Sequence, residues 1–392
     1  MKIKAVLTSD NHLNNYYAKM SPMRLEERRA IIRQAFQQTI EFSLEKQVNL
    51  FLHAGDLFDM PDPKNTELIF IARQFQRLIK NNIQVFLIGG THDVPKTRTV
   101  TTEGIPQRIF HETEQAHLLY DATQIQIVKT KIKDLEIVVG GLSYNPKLIK
   151  GDDPLSNLTF PAIGDINILL LHYGIENHIP ADVNEPLLRY SSISRLDGVN
   201  YVFVGHQHRT EVFKIEDKQV IIPGATERMS FGELSNPTGF YYLELEKSGL
   251  SSLEYIKIEP QPMIEFKISL STFSSSGDPT PYLIERFLPV STPEGILKCK
   301  IIGSISRELF HKLRLNEIWQ FGMSHNFHFD LDTKDLFIED EMIKISSSGS
   351  ISQRDEITNV AAALIDEAQE EDEKRIIHEA KNLIFCNRSG CN

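Results

Sequence analysis

Acidic and imidazole side chains recur at five places along the chain, each just after an apolar run. SDNH supplies Asp10 and His12, AGDLFD supplies Asp56 and Asp59, and GGTHD supplies His92 and Asp93. LLLHYG follows with His172, and FVGHQH ends the series with His206 and His208. Carboxylates mixed with imidazoles suit manganese, iron or zinc better than calcium. Taken singly, each motif has an ordinary explanation. An Asp-x-His is commonly a solvated loop, and a histidine at a strand end is as readily a satisfied core residue. Five such motifs in order, each closing a strand-like segment, predict one shared rim that holds two metal ions.

The segments between these motifs say how the rim is built. IKAVLTS (3–9), NLFLHAG (49–55) and QVFLIGG (84–90) read as buried strands. Between them, 24–45 and 68–79 carry apolar residues at helical spacing; Ile31, Ile32, Ala35, Phe36, Thr39, Ile40 and Phe42 form the face of the first helix. This strand–helix alternation predicts an α/β fold with strands packed between helices. LEIVVGGL (135–142), INILLLH (166–172) and YVFVGH (201–206) continue the strands. TEVFKI and QVIIPG read as a hairpin around EDK, followed by GFYYLELE (239–246). EPQPM (259–263) reads as a proline-marked linker into a small α+β region, and SSSGS near 346–350 as a flexible joint. Beyond it, Ser352 and Asp355 resemble a capping box, and Ile357, Val360, Ala361, Leu364, Ile365 and Ala368 make one helical stripe.

The 392 residues are enough for two or three domains with a sizeable core. No run of 18 apolar residues occurs, which predicts no membrane span, and MKIKAVLTSD reads as a strand rather than a secretory leader. Three cysteines, Cys299, Cys386 and Cys391, are too few for a disulfide framework and point to a reducing cytoplasm. Net charge is −11, which argues against passive binding of a phosphate backbone. Bound metals and local arginines can still supply a positive field for an anionic substrate.

In the order D-x-H, GD-x-x-D, G-x-HD, H and GH-x-H, the motifs resemble those of the calcineurin-like metallophosphoesterase superfamily. IIPGATERMSFGE (221–233) narrows the likeness, because it resembles the PGS-x-ER-x-x-FGE signature of the SbcD-type DNA double-strand-break repair nucleases. RLEERR (24–29), soon after DNHL, fits the same family. The likeness covers residues 1 to about 245. It implies a four-layer metallophosphoesterase β-sandwich flanked by helices, with a small α+β capping domain and a C-terminal helical tail. The expected divisions are a nuclease domain over 1–258, a capping and DNA-contact domain over 263–345, and a segment over 352–386 that docks on an ATPase coiled coil. It further implies a nuclease subunit that cuts DNA ends with two divalent ions, manganese by expectation, as a homodimer bound to an SbcC-type coiled-coil ATPase. Carried over by position, Asp10, His12, Asp56 and His208 hold one ion. Asp56 bridges to a second, held also by His172, His206 and residue 91. His92 contacts the scissile phosphate or protonates the leaving oxygen, and Asp93 orients it.

One position departs from the family pattern. Thr91 stands where the family has asparagine, and a hydroxyl on a shorter arm is a poorer ligand for a hard ion than an amide oxygen. Three outcomes are open: a site that works only at high manganese, an inactive scaffold, or local compensation. Asn11 is the weaker candidate for a replacement, because its neighbours already turn inward. Arg98, Arg209 and Arg228 lie near the motif loops and are expected to contact DNA phosphates; Arg228 has an ion pair with Glu233 as its alternative. Arg24, Arg28, Arg29 and Arg33 read either as a DNA groove or as a solvated helix face. Another phosphoesterase, acting on a cyclic nucleotide or a phosphoprotein, is the competing activity.

Overall fold

The computed structural model describes residues 2–96, 104–161, 163–180 and 183–339, and in the C-terminal segment 358, 360–362, 365 and 374–380. Two six-stranded sheets dominate. The first runs Gly249–Lys257, Gly239–Glu246, Ile3–Thr8, Leu50–His53, Gln84–Leu87, His117–Leu118. The second runs Glu211–Ile215, Lys218–Ile222, Tyr201–Gly205, Ile166–His172, Leu135–Leu142, Gln126–Ile132.

Period-two alternation explains the layering. Ala5 and Leu7 face inward with Leu50, Leu52 and Phe86, against Ile137, Val139, Ile168, Leu170 and Phe203 of the other sheet. Val6, Phe51, Val85 and Leu87 face the opposite way, onto Ile32, Phe36, Ile40, Ile71 and Phe75 of the helices. The second sheet turns Leu169, Leu171, Val202 and Val204 toward Leu188, Ile193 and Leu196. Both sheets are therefore covered on both faces, which gives the expected four-layer α/β sandwich, and their central strands are continuously apolar for that reason. Among the described residues, no helix is long and apolar enough to cross a membrane.

The helix Pro22–Lys46 starts at an N-cap serine, Ser21, with proline in its first turn. Its buried face includes Arg28 and Arg29, so neither sequence reading of the arginines holds for this pair. Arg28 bonds Gln261 Oε1 at 2.9 Å and lies 3.4 Å from Glu227 Oε2, while Arg29 donates to the Asn15 carbonyl at 2.9 Å. Arg24 pairs with Glu27 at 2.7 Å, and Arg33 pairs with the buried Glu67. Arg28, Arg29 and Arg33 thus tie the helix to other segments, while Arg24 lies on its solvated face.

Near 260 the chain does not loosen as EPQPM suggested. Gln261 is buried; its backbone N–H donates to Glu227 at 3.0 Å, and its side-chain amide donates to the Glu294 carbonyl at 2.9 Å. Beyond it stands a four-stranded sheet whose three parallel strands are Met263–Ser269, Ile296–Ile305 and His328–Asp332. It has its own core of Leu283, Phe287, Leu297, Ile301, Ile318 and Phe329. A smaller cluster of Met20, Leu25, Met263, Ile296 and Phe327 joins it to the first helix, and Lys19 pairs with Asp330 at 2.5 Å. Residues Met1–Phe337 accordingly form one compact unit, and Ile338–Asn392 a second. In that second unit, 358, 360–362, 365 and 374–380 are helical. The Ser/Gly joint, most of the 357–368 stripe, Cys386 and Cys391 lie outside the described residues.

Arg28 and Glu227 are both nearly fully buried, so removing one leaves the other as an uncompensated charge. Arg28→Ala is expected to lower the unfolding free energy by about 3 kcal/mol, read from chemical denaturation with an unchanged slope. A loss below about 1 kcal/mol would show that the pair is no clamp, since that is the scale of an exposed bridge.

Candidate metal centre

Strand register brings the five loops together. In the first sheet Thr8 pairs with His53 and His53 with Leu87, in parallel; in the second, Gly205 pairs with His172, also in parallel. The loops that follow these strands thus leave from the same edges. Two of them are stitched by backbone: Asp10 N–H donates to Gly55 O at 3.0 Å, His12 N–H to Asp56 O at 3.1 Å, and Leu13 N–H to Leu57 O at 3.0 Å. Close approach needs glycine at two points. A Cβ on Gly205 would fall 2.1 Å from Ala54 O, and one on Gly90 would fall 2.3 Å from Asp56 Oδ1. Gly205 serves close packing between the sheets, and the turn itself falls on His206.

Asp10, His12, Asp56 and His206 all hold positive φ, at 51°, 47°, 54° and 90°. A non-glycine residue there costs of order 1 kcal/mol or more. The surrounding hydrogen bonds impose this strain, and its result is convergence of the side chains. Asp10, His12 and His208 form one group of converging donors, and Asp10, Asp56 and His172 another. His12, Asp56 and His92 form a third, so His92 joins the converging donors. His12 Nε2 lies 3.0 Å from His208 Nε2, and His172 Nε2 lies 3.1 Å from Asp56 Oδ2. His206 enters from the side, with Thr91 Oγ1 at 3.3 Å from its Nδ1.

The far nitrogen of every one of these imidazoles is held. His12 Nδ1 meets Asp59 Oδ1 at 3.1 Å, His172 Nδ1 donates to Ala54 O at 2.7 Å, and His208 Nδ1 meets Glu233 Oε2 at 3.1 Å. His206 Nε2 meets both Glu185 oxygens at 3.0 Å. Such partners fix the tautomer and aim the other nitrogen inward.

His172 supplies the test of whether a cation belongs here. Its Nδ1 proton is donated to Ala54, so in the neutral ring Nε2 is a lone pair. That atom is fully buried, and as a lone pair it finds no donor among the described residues, only the carboxylate oxygen of Asp56. Two electron-rich atoms at that distance need a positive charge between or upon them. Burial opposes charge on His172, yet Asp56 and Asp10 outweigh it and lift the ring to about 9. His12 behaves alike: burial opposes its charge, and Asp59, Asp56 and Asp10 raise it to about 9. Burial also pushes the Asp56 carboxyl up, but His172, His12 and His92 hold it well below the carboxylate range. The donors therefore fit a divalent ion, and protons take its part in the metal-free chain.

Several sequence expectations change. Asp93 does not reach His92. It is fully buried and accepts the N–H groups of Phe58 and Gly90 at 2.9 Å and of Leu57 at 3.3 Å, so it braces two loops. Burial, with Asp56 nearby, raises its carboxyl to about 6 against those bonds. Asp59 is the residue beside His92, its carbonyl at 3.0 Å and its carboxylate at 3.6 Å from Nδ1. Asn11 is no replacement for the missing amide: its oxygen accepts from His53 Nε2 at 2.7 Å and its nitrogen donates to Thr226 at 2.8 Å, beneath the site. Arg209 is exposed and paired with Glu211. Arg228 is half-buried, 3.5 Å from Asn236 O, and Glu233 is engaged by His208 rather than by it. Arg98 lies outside the described residues. Asp59 was read from the sequence among the acidic side chains of the rim but given no role there, and Glu233 and Glu185 were not among the expected site residues; FGE carried a signal for Glu233, and nothing local marked Glu185.

Comparison with known proteins agrees with this geometry. The DNA double-strand break repair protein Mre11 of Methanocaldococcus jannaschii is 28% identical over 271 residues, 66% of this chain and 68% of that protein. Mre11 of Sulfurisphaera tokodaii is 27% identical over 212 residues, 54% of this chain and 51% of that protein. The SbcD component of the nuclease SbcCD from Staphylococcus epidermidis is 23% identical over 285 residues, 67% of this chain and 71% of that protein. The chain thus spans between about half and seven-tenths of the length of these relatives. Residues 3–210 match the family described as calcineurin-like phosphoesterase. Because that match runs over more than half of the sequence and through every loop from Asp10 to His208, the chain belongs to the calcineurin-like phosphoesterase family.

Proposed function

We propose that the chain is a metal-dependent DNA nuclease subunit, acting on DNA ends in the cytoplasm as a homodimer with an SbcC-type coiled-coil ATPase. The observation that carries the reading is the buried His172 Nε2, without a hydrogen bond and 3.1 Å from Asp56, at the meeting point of two donor groups. Similarity to proteins named for double-strand-break repair and to a component of a nuclease supports DNA as the substrate.

Asp10, His12, Asp56 and His208 would hold one ion, and Asp56, His172, His206 and Thr91 the other. Manganese suits this donor set, and the bound ions would supply Lewis acidity and a more acidic water for phosphodiester hydrolysis. The protein's own share is orientation and one proton. His92 is exposed at the rim, its ring edge-on to His12 with centroids 4.7 Å apart. Its Nδ1–H points to the Asp59 carbonyl, so a second proton on Nε2 would face the substrate, stabilised by the Asp59 carboxylate. That proton is the one given to the leaving oxygen. Asp93 keeps the loop of His92 fixed to the loop of Asp56, so the two move as one. Arg209, beside His208, and Arg98 would take DNA phosphates. Residues 263–345 would cap the DNA, and 352–386 would dock on the ATPase coiled coil.

Thr91 favours a second reading, a weakened scaffold subunit, because its hydroxyl is a poor ligand. Cleavage of linear duplex by the purified chain over a manganese titration separates the two. His92→Ala is expected to lower turnover roughly 100- to 10,000-fold with DNA affinity retained. Thr91→Asn is expected to move the titration to lower manganese. A silent wild type beside an active Thr91→Asn would establish the scaffold, and silence of both, with an ATPase partner supplied, would end the nuclease reading.

Metal binding is measurable without DNA. Manganese at a hundredfold its Kd is expected to add about 2.7 kcal/mol to the unfolding free energy for each ion bound. Asp56→Asn, which weakens the shared ligand, is expected to lose most of that gain. Equal gains in both proteins would place the ions elsewhere.

A further inference from the structure

We propose that Glu185 is a positioning residue for the second metal position, holding the Nε2 proton of His206 so that Nδ1 presents its lone pair beside Thr91. The inference rests on the two-metal reading above. It assigns a role to a side chain outside all five motifs.

Carboxylate oxygens accept, so two glutamate oxygens at 3.0 Å from Nε2 place the ring proton on that nitrogen. Nδ1 is then the acceptor, and the Thr91 hydroxyl at 3.3 Å is placed to donate to it. The His206 ring stands beside that of His172, the centroids 5.5 Å apart at 74°. His172 Nε2, buried and without a hydrogen bond, is the independent sign that this pocket takes a cation. Holding the far nitrogen with an anion also makes the ligating nitrogen more basic. That gain falls on the position where Thr91 is the poor donor.

The fold brings Glu185 there by register. Gly174 pairs in parallel with Leu187, and Ile175 with Leu188, in a two-stranded extension just past His172. His172 lies two residues before Gly174 and Glu185 two before Leu187, so this pairing brings Glu185 close to the end of the His172 strand. Gly174 leaves the space: a Cβ there would fall 2.9 Å from Glu185 Oε1 and 2.5 Å from Ile179 Cδ1.

Calorimetric titration of the full chain with manganese chloride, without DNA, tests the assignment. The wild type is expected to take two equivalents. Glu185→Ala should leave the first intact and weaken the second about 10- to 100-fold, while Glu185→Gln, whose amide oxygen still accepts the Nε2 proton, keeps most of the affinity. Adding Thr91→Asn to Glu185→Ala should recover part of the loss. The metal-free melting temperature should stay at the wild-type value in all of them. If Glu185→Ala does not fold, Gly174→Ala, which displaces the carboxylate without removing it, should weaken the second equivalent instead. A second equivalent bound as tightly as in wild type overturns the proposal. So does equal loss in the Gln and Ala variants, which would indicate direct ligation, and so does a wild type that binds one ion only. None of these results bears on DNA cleavage, which keeps its own assay.

Discussion

Burial of Asp10 and Asp56 between two sheets is the constraint on which the rest depends. Both carboxylates are essentially out of solvent, and an isolated carboxylate cannot be carried there without compensation. Imidazoles from both sheets surround them, and His172 and His12 answer with strongly raised proton affinity. Buried carboxylates converging with imidazoles in this way are the donor chemistry of a cation site. Positive φ at Asp10, His12, Asp56 and His206 is the backbone counterpart of the same demand.

An outer ring makes the inner one directional. Asp59, Glu233 and Glu185 each face the far nitrogen of one imidazole, and a backbone carbonyl serves His172. Burial pushes Glu233 up, but His208, the Met229 N–H and Ser230 hold its carboxyl below the ordinary range. Asp59 serves twice, through its carboxylate to His12 and its carbonyl to His92. Substitution in this ring would therefore change how the inner imidazoles point without altering them.

The third sheet is coupled to that centre through the 227–233 stretch. Glu227 holds Arg28 and the Gln261 N–H, which tie the first helix to the strand at Met263, and Glu233, six residues on, holds His208. One short segment thus touches both the histidine rim and the joint with the third sheet. This gives physical content to a signature that the sequence alone offers only as a likeness.

What could be read from residues alone was whatever repeats at short range. Period-two and helical spacing located the strands 135–142, 166–172 and 239–246 and both long helices, because burial on one or two faces writes itself into local order. Residue chemistry at strand ends pointed to Asp10, His12, Asp56, His92, His172 and His208, whose donor atoms the fold brings together. What lay beyond reach were contacts between segments far apart in the chain. Glu185 reaches His206 through the register of Leu187 on Gly174, Asp59 displaces Asp93 beside His92 by the path of one loop, and Arg28 turns from a surface charge into a buried clamp on Glu227. No periodicity encodes those pairings. Tertiary packing decided them, since only the folded chain determines which buried polar groups find one another.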